Sequence, residues 1–409
     1  MKVRRQRRPA LFWWVTGAIV IVAVVAAMVS VFIARQSHES SKRQTAQQTE
    51  SVAPPKPVSI ASNDLFFGNA YWGRYVNQWA TESGKGTAYP FSRLNEFDRE
   101  SYNAWVAGLE CPTVAGLNLT PAQEDATLTF NCSPEYLPEA SKWFTSFMLA
   151  NNHTDNQGAD GFAETQQQLG ENNIQYFGHY DPRVTDEICE VTAWPVTVTY
   201  DDDSTKDAEL PIALCGFHGV FRIPPEESIA VMEQYAQYMP VIAMTHMGAE
   251  YEAAPGSYTI NAYRSMIDHG ADMVLGDHPH WIQNTEAYEG KLIVYSMGNF
   301  IFDQQANAEV TRSAAIRVLM QTNEADSATI DQWLALGSTC TAYHDDCLAQ
   351  IEQQGLKKLP FTYQFGVVGV DTSQKITKPA TEEQTQKILE RLDWNTTMQG
   401  LVQPYSALQ

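Results

Sequence analysis

Several common chemistries have no signature in this 409-residue sequence. Its six cysteines form no Cys-x-x-Cys, which excludes a zinc ribbon. No Gly-x-Ser-x-Gly is present, so a serine hydrolase built on that elbow is excluded. Gly68, Gly73, Gly84 and Gly86 lack the spacing of a phosphate-cradling loop. There is no internal repeat and no second long apolar run after the first 34 residues. Positive charge is scarce as well. Eight of the 27 Lys and Arg and two of the 48 Asp and Glu precede residue 51, leaving 19 against 46 and a net charge of −27 on the remainder. A field of that sign repels nucleic acid and anionic lipid heads, so nucleic acid is excluded as a partner, and a polyanion would need a local site or a metal.

What is present begins with a basic tail, residues 1–9, carrying Lys2, Arg4, Arg5, Arg7 and Arg8. Residues 10–34 then run 25 positions without a charge. At about 1.5 Å per residue a helix there is roughly 37 Å long, more than a bilayer core of about 30 Å. Cleavable signal peptides have shorter apolar regions, so the stretch reads as an uncleaved, single-pass transmembrane signal anchor. The basic flank places the N-terminus in the cytoplasm and the main domain outside the cell. Residues 35–59, rich in Ser, Gln, Thr, Lys and Pro, read as a flexible stalk, and residues 60–409 as the extracellular domain. All six cysteines fall in that domain, where disulfides persist; the expected pairs are Cys111–Cys132, Cys189–Cys215 and Cys340–Cys347.

Within the domain, short apolar runs alternate with polar loops and helical patterns. Strands are expected at residues 64–68, 104–109, 143–150, 174–177, 241–244, 273–275, 314–320 and 361–370, with hairpins over 191–217 and 287–296. Helices are expected at 71–80, 158–173, 225–239 and 258–269, and residues 111–140 and 322–358 read as inserted segments. This is an α/β pattern, in which sites form at the carboxyl ends of strands. Asn69, Glu110, Asn152, His153, His246, His278 and His280 all fall at such ends. Seven oxygen- and nitrogen-bearing side chains without a thiolate suit one or two divalent ions, Mn, Zn or Fe. Two ions about 3.5–4 Å apart can clamp a phosphoryl or carbonyl group, and Glu110 has the two oxygens a bridging ligand needs. Arg74 is one of few cations nearby and suits an anionic substrate group. His179 and His218 lie near strand ends, and Trp72 and Trp281 read as packing.

The ordered series GNAYWGR (68–74), GLE (108–110), LANNHTDNQG (149–158), THMGAEY (245–251), GADMVLGDHPHWIQ (270–283) and YSMGNFIFD (295–303) resembles the bacterial capsule-synthesis protein CapA family of poly-γ-glutamate production or export. That family is similar to calcineurin-like metallophosphoesterases. The resemblance implies a metallophosphatase-like αββα sandwich, metal contact by Glu110, Asn152, His246, His278 and His280, and His153 as general acid or transition-state donor. Three positions depart from the pattern. Asn69 stands where the family has a metal-binding Asp, which weakens one metal position. Asn156 replaces the Asp that follows Asn-Asn-His, leaving adjacent Asp155 to orient His153. Asp277 replaces the residue before His-Pro-His. The function implied is a membrane-anchored protein of surface-polymer metabolism retaining a metal-dependent hydrolase site, acting on a phosphoester or a γ-glutamyl amide. Its expected partners are the membrane, through residues 10–34, a polymer synthase complex, and an anionic polymer or phosphoester substrate. The alternative is a non-catalytic scaffold of the same fold that binds the polymer or its synthase; a third reading is an acidic adhesive protein whose histidines only cap strands.

Overall fold

A computed structural model describes residues 24–39 and 53–408, apart from residues 221, 323, 324 and 343. Two compact units separate after Pro55: Met1–Pro55 and Lys56–Gln409. In the first, residues 24–39 are helical. Among the described residues no helix is long and apolar enough to cross a membrane. Residues 10–23 of the expected anchor, and residues 40–52 of the expected stalk, lie outside the described residues.

The second unit is a mixed α/β domain organised by β1, Pro57–Ala70. This strand is much longer than residues 64–68, because its residues 57–61 pair with β5, Cys189–Tyr200, and its residues 61–66 with β12, Arg312–Thr322. Residues 57–59 therefore belong to the domain and not to a stalk. Farther along, β1 takes parallel partners on both sides: β2, Ala104–Leu109, and β11, Asn299–Ile301. The exchange of partners midway splits the strands into two groups. One continues in parallel from β2 to β3, Ser146–Met148, and β4, Gln175–Phe177. The other runs from β5 through β6, Thr205–Gly219, to the parallel strands β7, Val241–Met247, and β8, Met273–Asp277, and ends in the hairpin of β9, Thr285–Tyr288, and β10, Lys291–Val294, of which β10 lies parallel to β8.

Side-chain alternation along β2 shows what each face covers. Ala104 and Val106 are buried in one core together with Met148, Phe177, Leu214, Ile242 and Val274. Trp105 and Ala107 point the other way, into a core built with Val76, Ala80 and Leu169 of the helices Arg74–Glu82 and Gly158–Glu171. Ile330, Trp333 and Leu336 of the helix Ser327–Ala342 belong to the first core. The inserted 322–358 segment packs as a cover on the sheet, and its two helices are tied by Cys340–Cys347 as expected. The 111–140 segment likewise supplies Phe130, Tyr136 and Leu137 to the second core and is closed by Cys111–Cys132. The third pair, Cys189–Cys215, joins registered residues of β5 and β6.

Two further expectations are corrected. The helix expected at 225–239 is two short ones, Glu226–Ala230 and Glu233–Ala236, because the Met232 and Tyr235 amides bond three residues back, to Ile229 and Met232. His246 lies within β7, not past its end, since β7 stays paired on both sides: His218 of β6, His246 and Asp277 of β8 are in register.

Candidate metal centre

Carboxyl ends of parallel strands have nowhere to send their last backbone groups except loops, and here those loops converge. Glu110 follows β2, Asn152 follows β3, His246 is the penultimate residue of β7, and His278 and His280 follow β8. His278 and His280 both have left-handed backbone, φ 90° and 58°, a sharp path on either side of Pro279 that brings both rings to one place. Glu110, His246, His278 and His280 are all at most 3% exposed.

The hydrogen bonds fix how the imidazoles face. His246 Nδ1 lies 2.6 Å from Asp277 Oδ1; toward an ionised Asp277 it donates, which leaves the lone pair on Nε2. Asp277 has room for this because position 108 is glycine; a Cβ there would sit 2.2 Å from Asp277 Oδ2. His246 Nε2 faces Asn152 Oδ1 at 2.8 Å, His278 Nδ1 at 3.0 Å and Glu110 Oε1 at 4.0 Å. Glu110 Oε1 is also 4.0 Å from His280 Nε2. The second oxygens of Glu110 and Asp277 are buried with no hydrogen-bond partner. Burial, then the charges of Asp277, Glu250 and Asp303, push the Glu110 carboxyl far above its usual range, and burial does the same to Asp277. Burial, reinforced by the neighbouring histidines, holds His246 and His278 well below the usual imidazole range; burial lowers His280 to about 4. The cluster is a set of neutral nitrogens and strained carboxyls. Among the described residues, no group of three or more His, Cys, Asp or Glu closes around a point as a ready-made ion site; the donors contact one another instead.

Asn69 is buried with them but turned away from a ligand's role. Its Oδ1 accepts the His278 backbone N–H at 3.2 Å, and its Nδ2 donates to Asn299 Oδ1 at 3.2 Å. Asn299 itself went unmarked in the sequence as a site residue, although it stands in the MGN of the YSMGNFIFD stretch. Its Oδ1 takes the proton of His280 Nδ1 at 2.8 Å, doing for His280 what Asp277 does for His246.

His153 stacks on Phe130, ring centroids 4.1 Å apart, and its Nδ1 meets Asn156 Oδ1 at 3.0 Å. That oxygen also accepts the Phe130 N–H, which identifies it as the acceptor and His153 Nδ1 as protonated. The residue orienting His153 is therefore Asn156 and not Asp155. Burial lowers His153 to about 4, so at neutral pH it is uncharged with its lone pair on Nε2. Arg74 lies near these groups, 5.0 Å over the Phe130 ring, but its guanidinium is already committed. It donates to Asp303 at 2.6 and 2.7 Å and to Asp125 at 3.2 Å, and so is not the open anion contact expected of it.

The class defined by this architecture is a mixed α/β protein whose histidine, amide and carboxyl side chains gather at the carboxyl ends of its parallel strands. The chain belongs to the bacterial capsule synthesis protein family PGA_cap, whose pattern matches residues 65–209 and 221–304. It is 28% identical over 263 residues to the PGA biosynthesis protein CapA of Bacillus subtilis (strain 168), covering 60% of this chain and 66% of that one. It is 27% identical over 270 residues to the capsule biosynthesis protein CapA of Bacillus anthracis, covering 63% and 64%. The chain thus spans slightly less than two thirds of the length of the curated relatives it matches.

Proposed function

We propose that this is a membrane-anchored, outward-facing protein of poly-γ-glutamate or capsule metabolism whose metallophosphatase-like αββα domain carries a metal-dependent hydrolase site. The observation that carries the reading is the convergence of metal-ligating atoms. His246 Nε2 and Asn152 Oδ1 lie 2.8 Å apart, with His278 Nδ1 and Glu110 Oε1 beside them and buried carboxyl oxygens left over. Ligand atoms about 2.0–2.2 Å from an ion lie roughly 3–3.5 Å from one another. The observed separations of 2.8 to 4.0 Å bracket that spacing, and an oxygen and nitrogen set suits Mn, Zn or Fe.

In this reading Glu110, Asn152, His246 and His278 hold the ion, and Asp277 fixes the His246 tautomer. A divalent ion supplies Lewis acidity toward a phosphoryl or carbonyl oxygen and raises the acidity of water. His153, neutral with Nε2 basic, enters as a proton acceptor; it can protonate a leaving group only with the proton it has first taken up. The substrate class is a phosphoester or a γ-glutamyl amide. Residues 10–34 anchor the chain, and the three disulfides suit an oxidising exterior. A polymer synthase at the same membrane is the expected partner. The inward-turned Asn69 favours one second reading, a scaffold of the same fold that binds polymer or synthase without catalysis.

Elemental analysis of the detergent-purified full chain after incubation with Mn²⁺ or Zn²⁺, together with hydrolysis of a generic phosphodiester, tests the proposal. His246→Ala should lose the metal and at least about 100-fold in hydrolysis. Asp277→Asn should keep the fold but weaken metal affinity by about 10- to 100-fold, the usual cost of an outer partner. Wild-type protein that takes up no metal and stays inert would leave the scaffold reading.

A further inference from the structure

Resting on that metal reading, in which the resemblance gives His280 a metal contact, we infer that Tyr251 and Gln304 are positioning residues of the centre: with Asn299 they close a ring of contacts around the His280 imidazole and hold its Nε2 toward Glu110.

The ring can be followed bond by bond. Asn299 Oδ1 meets His280 Nδ1 at 2.8 Å. Asn299 Nδ2 donates to Gln304 Oε1 at 3.2 Å, and Gln304 Nε2 donates to the Tyr251 hydroxyl at 2.8 Å. The Tyr251 ring returns to the start, stacked on the His280 ring with centroids 5.5 Å apart and planes 22° from parallel. One edge and one face of the imidazole are thereby engaged, which holds the ring against rotation. Its remaining nitrogen, Nε2, lies 4.0 Å from Glu110 Oε1, the same oxygen that is 4.0 Å from His246 Nε2.

Packing alone does not account for Tyr251. It is 43% exposed, yet its backbone is left-handed, φ 60°, a conformation that is costly for a bulky side chain. Such strain persists where surrounding contacts over-determine the backbone. Here the Tyr251 N–H donates to the Pro279 carbonyl at 2.9 Å, and Gln283 Nε2 donates to the Glu252 carbonyl at 3.1 Å. These bonds tie the exposed loop between β7 and the helix Ser257–Asp268 to the His-Pro-His segment. The strain therefore serves to seat an aromatic ring on His280. Glu250, next in the loop, draws on the same hydroxyl, and its charge adds to burial and Asp277 in raising the Glu110 carboxyl. The loop thus acts on both partners of the His280–Glu110 contact.

Two changes cut the ring of contacts at one bond without touching His280: Gln304→Ala, and Tyr251→Phe, which keeps the stacked ring. In detergent-purified full chain freed of metal by chelator, diethyl pyrocarbonate labelling of His280, mapped by mass spectrometry against His246, should rise several-fold in either variant. Mn²⁺ affinity, read by calorimetric titration, should fall by about 10-fold in each. Melting should drop by no more than about 3 °C, since a single hydrogen bond is lost from a large domain. The double variant should be no worse than Gln304→Ala alone, because both changes remove the same link. Unchanged His280 labelling, unchanged Mn²⁺ affinity in variants of a wild type that binds the ion, or losses that add in the double variant would overturn the positioning role and leave the metal reading intact. Raised His280 labelling in variants of a wild type that binds no Mn²⁺ would overturn the metal reading and leave the ring of contacts standing.

Discussion

The Gly68→Ala variant is expected to be recovered unfolded or not at all, whereas Gly170→Ala should fold and gain about 0.5–1 kcal/mol. The contrast arises from what a methyl group would meet. A Cβ at position 68 would lie 1.8 Å from the Gly298 carbonyl oxygen and 3.0 Å from its carbon, both backbone atoms, whereas a Cβ at position 170 meets nothing within 4 Å. No rotamer change relieves a clash with backbone; either β1 or the turn before β11 must move. That turn cannot move cheaply, because the Gly298 oxygen accepts the Asn69 N–H at 3.1 Å and Asn69 pairs in register with Asn299. Separating these strands would also part Asn69 and Asn299, the two amides that brace His278 and His280. The expected loss exceeds about 4 kcal/mol, the range in which point changes abolish folding. Soluble yield and thermal unfolding of both variants check this; a Gly68→Ala protein with wild-type melting would show that the close approach is not required.

Gly68 and Gly298 illustrate what the sequence withholds. Both stand in stretches that mark the family, and β2, Glu110 and the His-Pro-His loop were legible from apolar runs ending in polar residues. Nothing in a single sequence says that two glycines 230 positions apart touch, because the contact depends on β1 exchanging one set of partners for another. The same cause extended β1 and β7 beyond their apolar runs: pairing, with β5 for Pro57 and with β6 and β8 for His246, and not hydrophobicity, carried both residues into strands.

Around the site, residue type was legible and orientation was not. Asn69 was recognisable as a weakened ligand, but its inward turn follows from Asn299, whose role appears only when β11 lies beside β1. Asn156 orients His153 because its place in the turn brings its amide oxygen to the ring's Nδ1. The C-terminal stretch had one readable signal that went unused. Thr381 and Gln384 form a capping box at the start of the helix Glu382–Leu392. The strand Tyr405–Ala407 had none; three residues become a strand only by pairing with β13, Phe361–Asp371.

The second large effect concerns a carboxyl outside the histidine cluster. Asp64 lies in β1, 1% exposed. Its oxygens receive Ser62 Oγ at 2.6 and 2.7 Å, Trp194 Nε1 at 3.1 Å and the Ala104 N–H at 3.1 Å. Burial outweighs these bonds and the nearby charge of Arg99, pushing the carboxyl from 3.8 up to about 7. The folded form therefore holds a proton that the unfolded chain has already released between about pH 4 and pH 7. Stability from this group is complete below pH 4 and is lost as pH rises through 7, so the domain weakens toward alkaline pH by about 4 kcal/mol for a shift of roughly three units. Asp64→Asn should remove that slope without leaving a donor stranded. The amide oxygen can accept from Ala104, its nitrogen can donate to Ser62 Oγ, and Trp194 Nε1 already lies 2.9 Å from the same Oγ. Urea unfolding of wild type and Asp64→Asn at pH 5 and pH 8 reads the difference. The variant should be the more stable protein at pH 8, with its advantage largely gone at pH 5. An equal advantage at both values would mean that Asp64 keeps its ordinary acidity and that its hydrogen bonds compensate for burial.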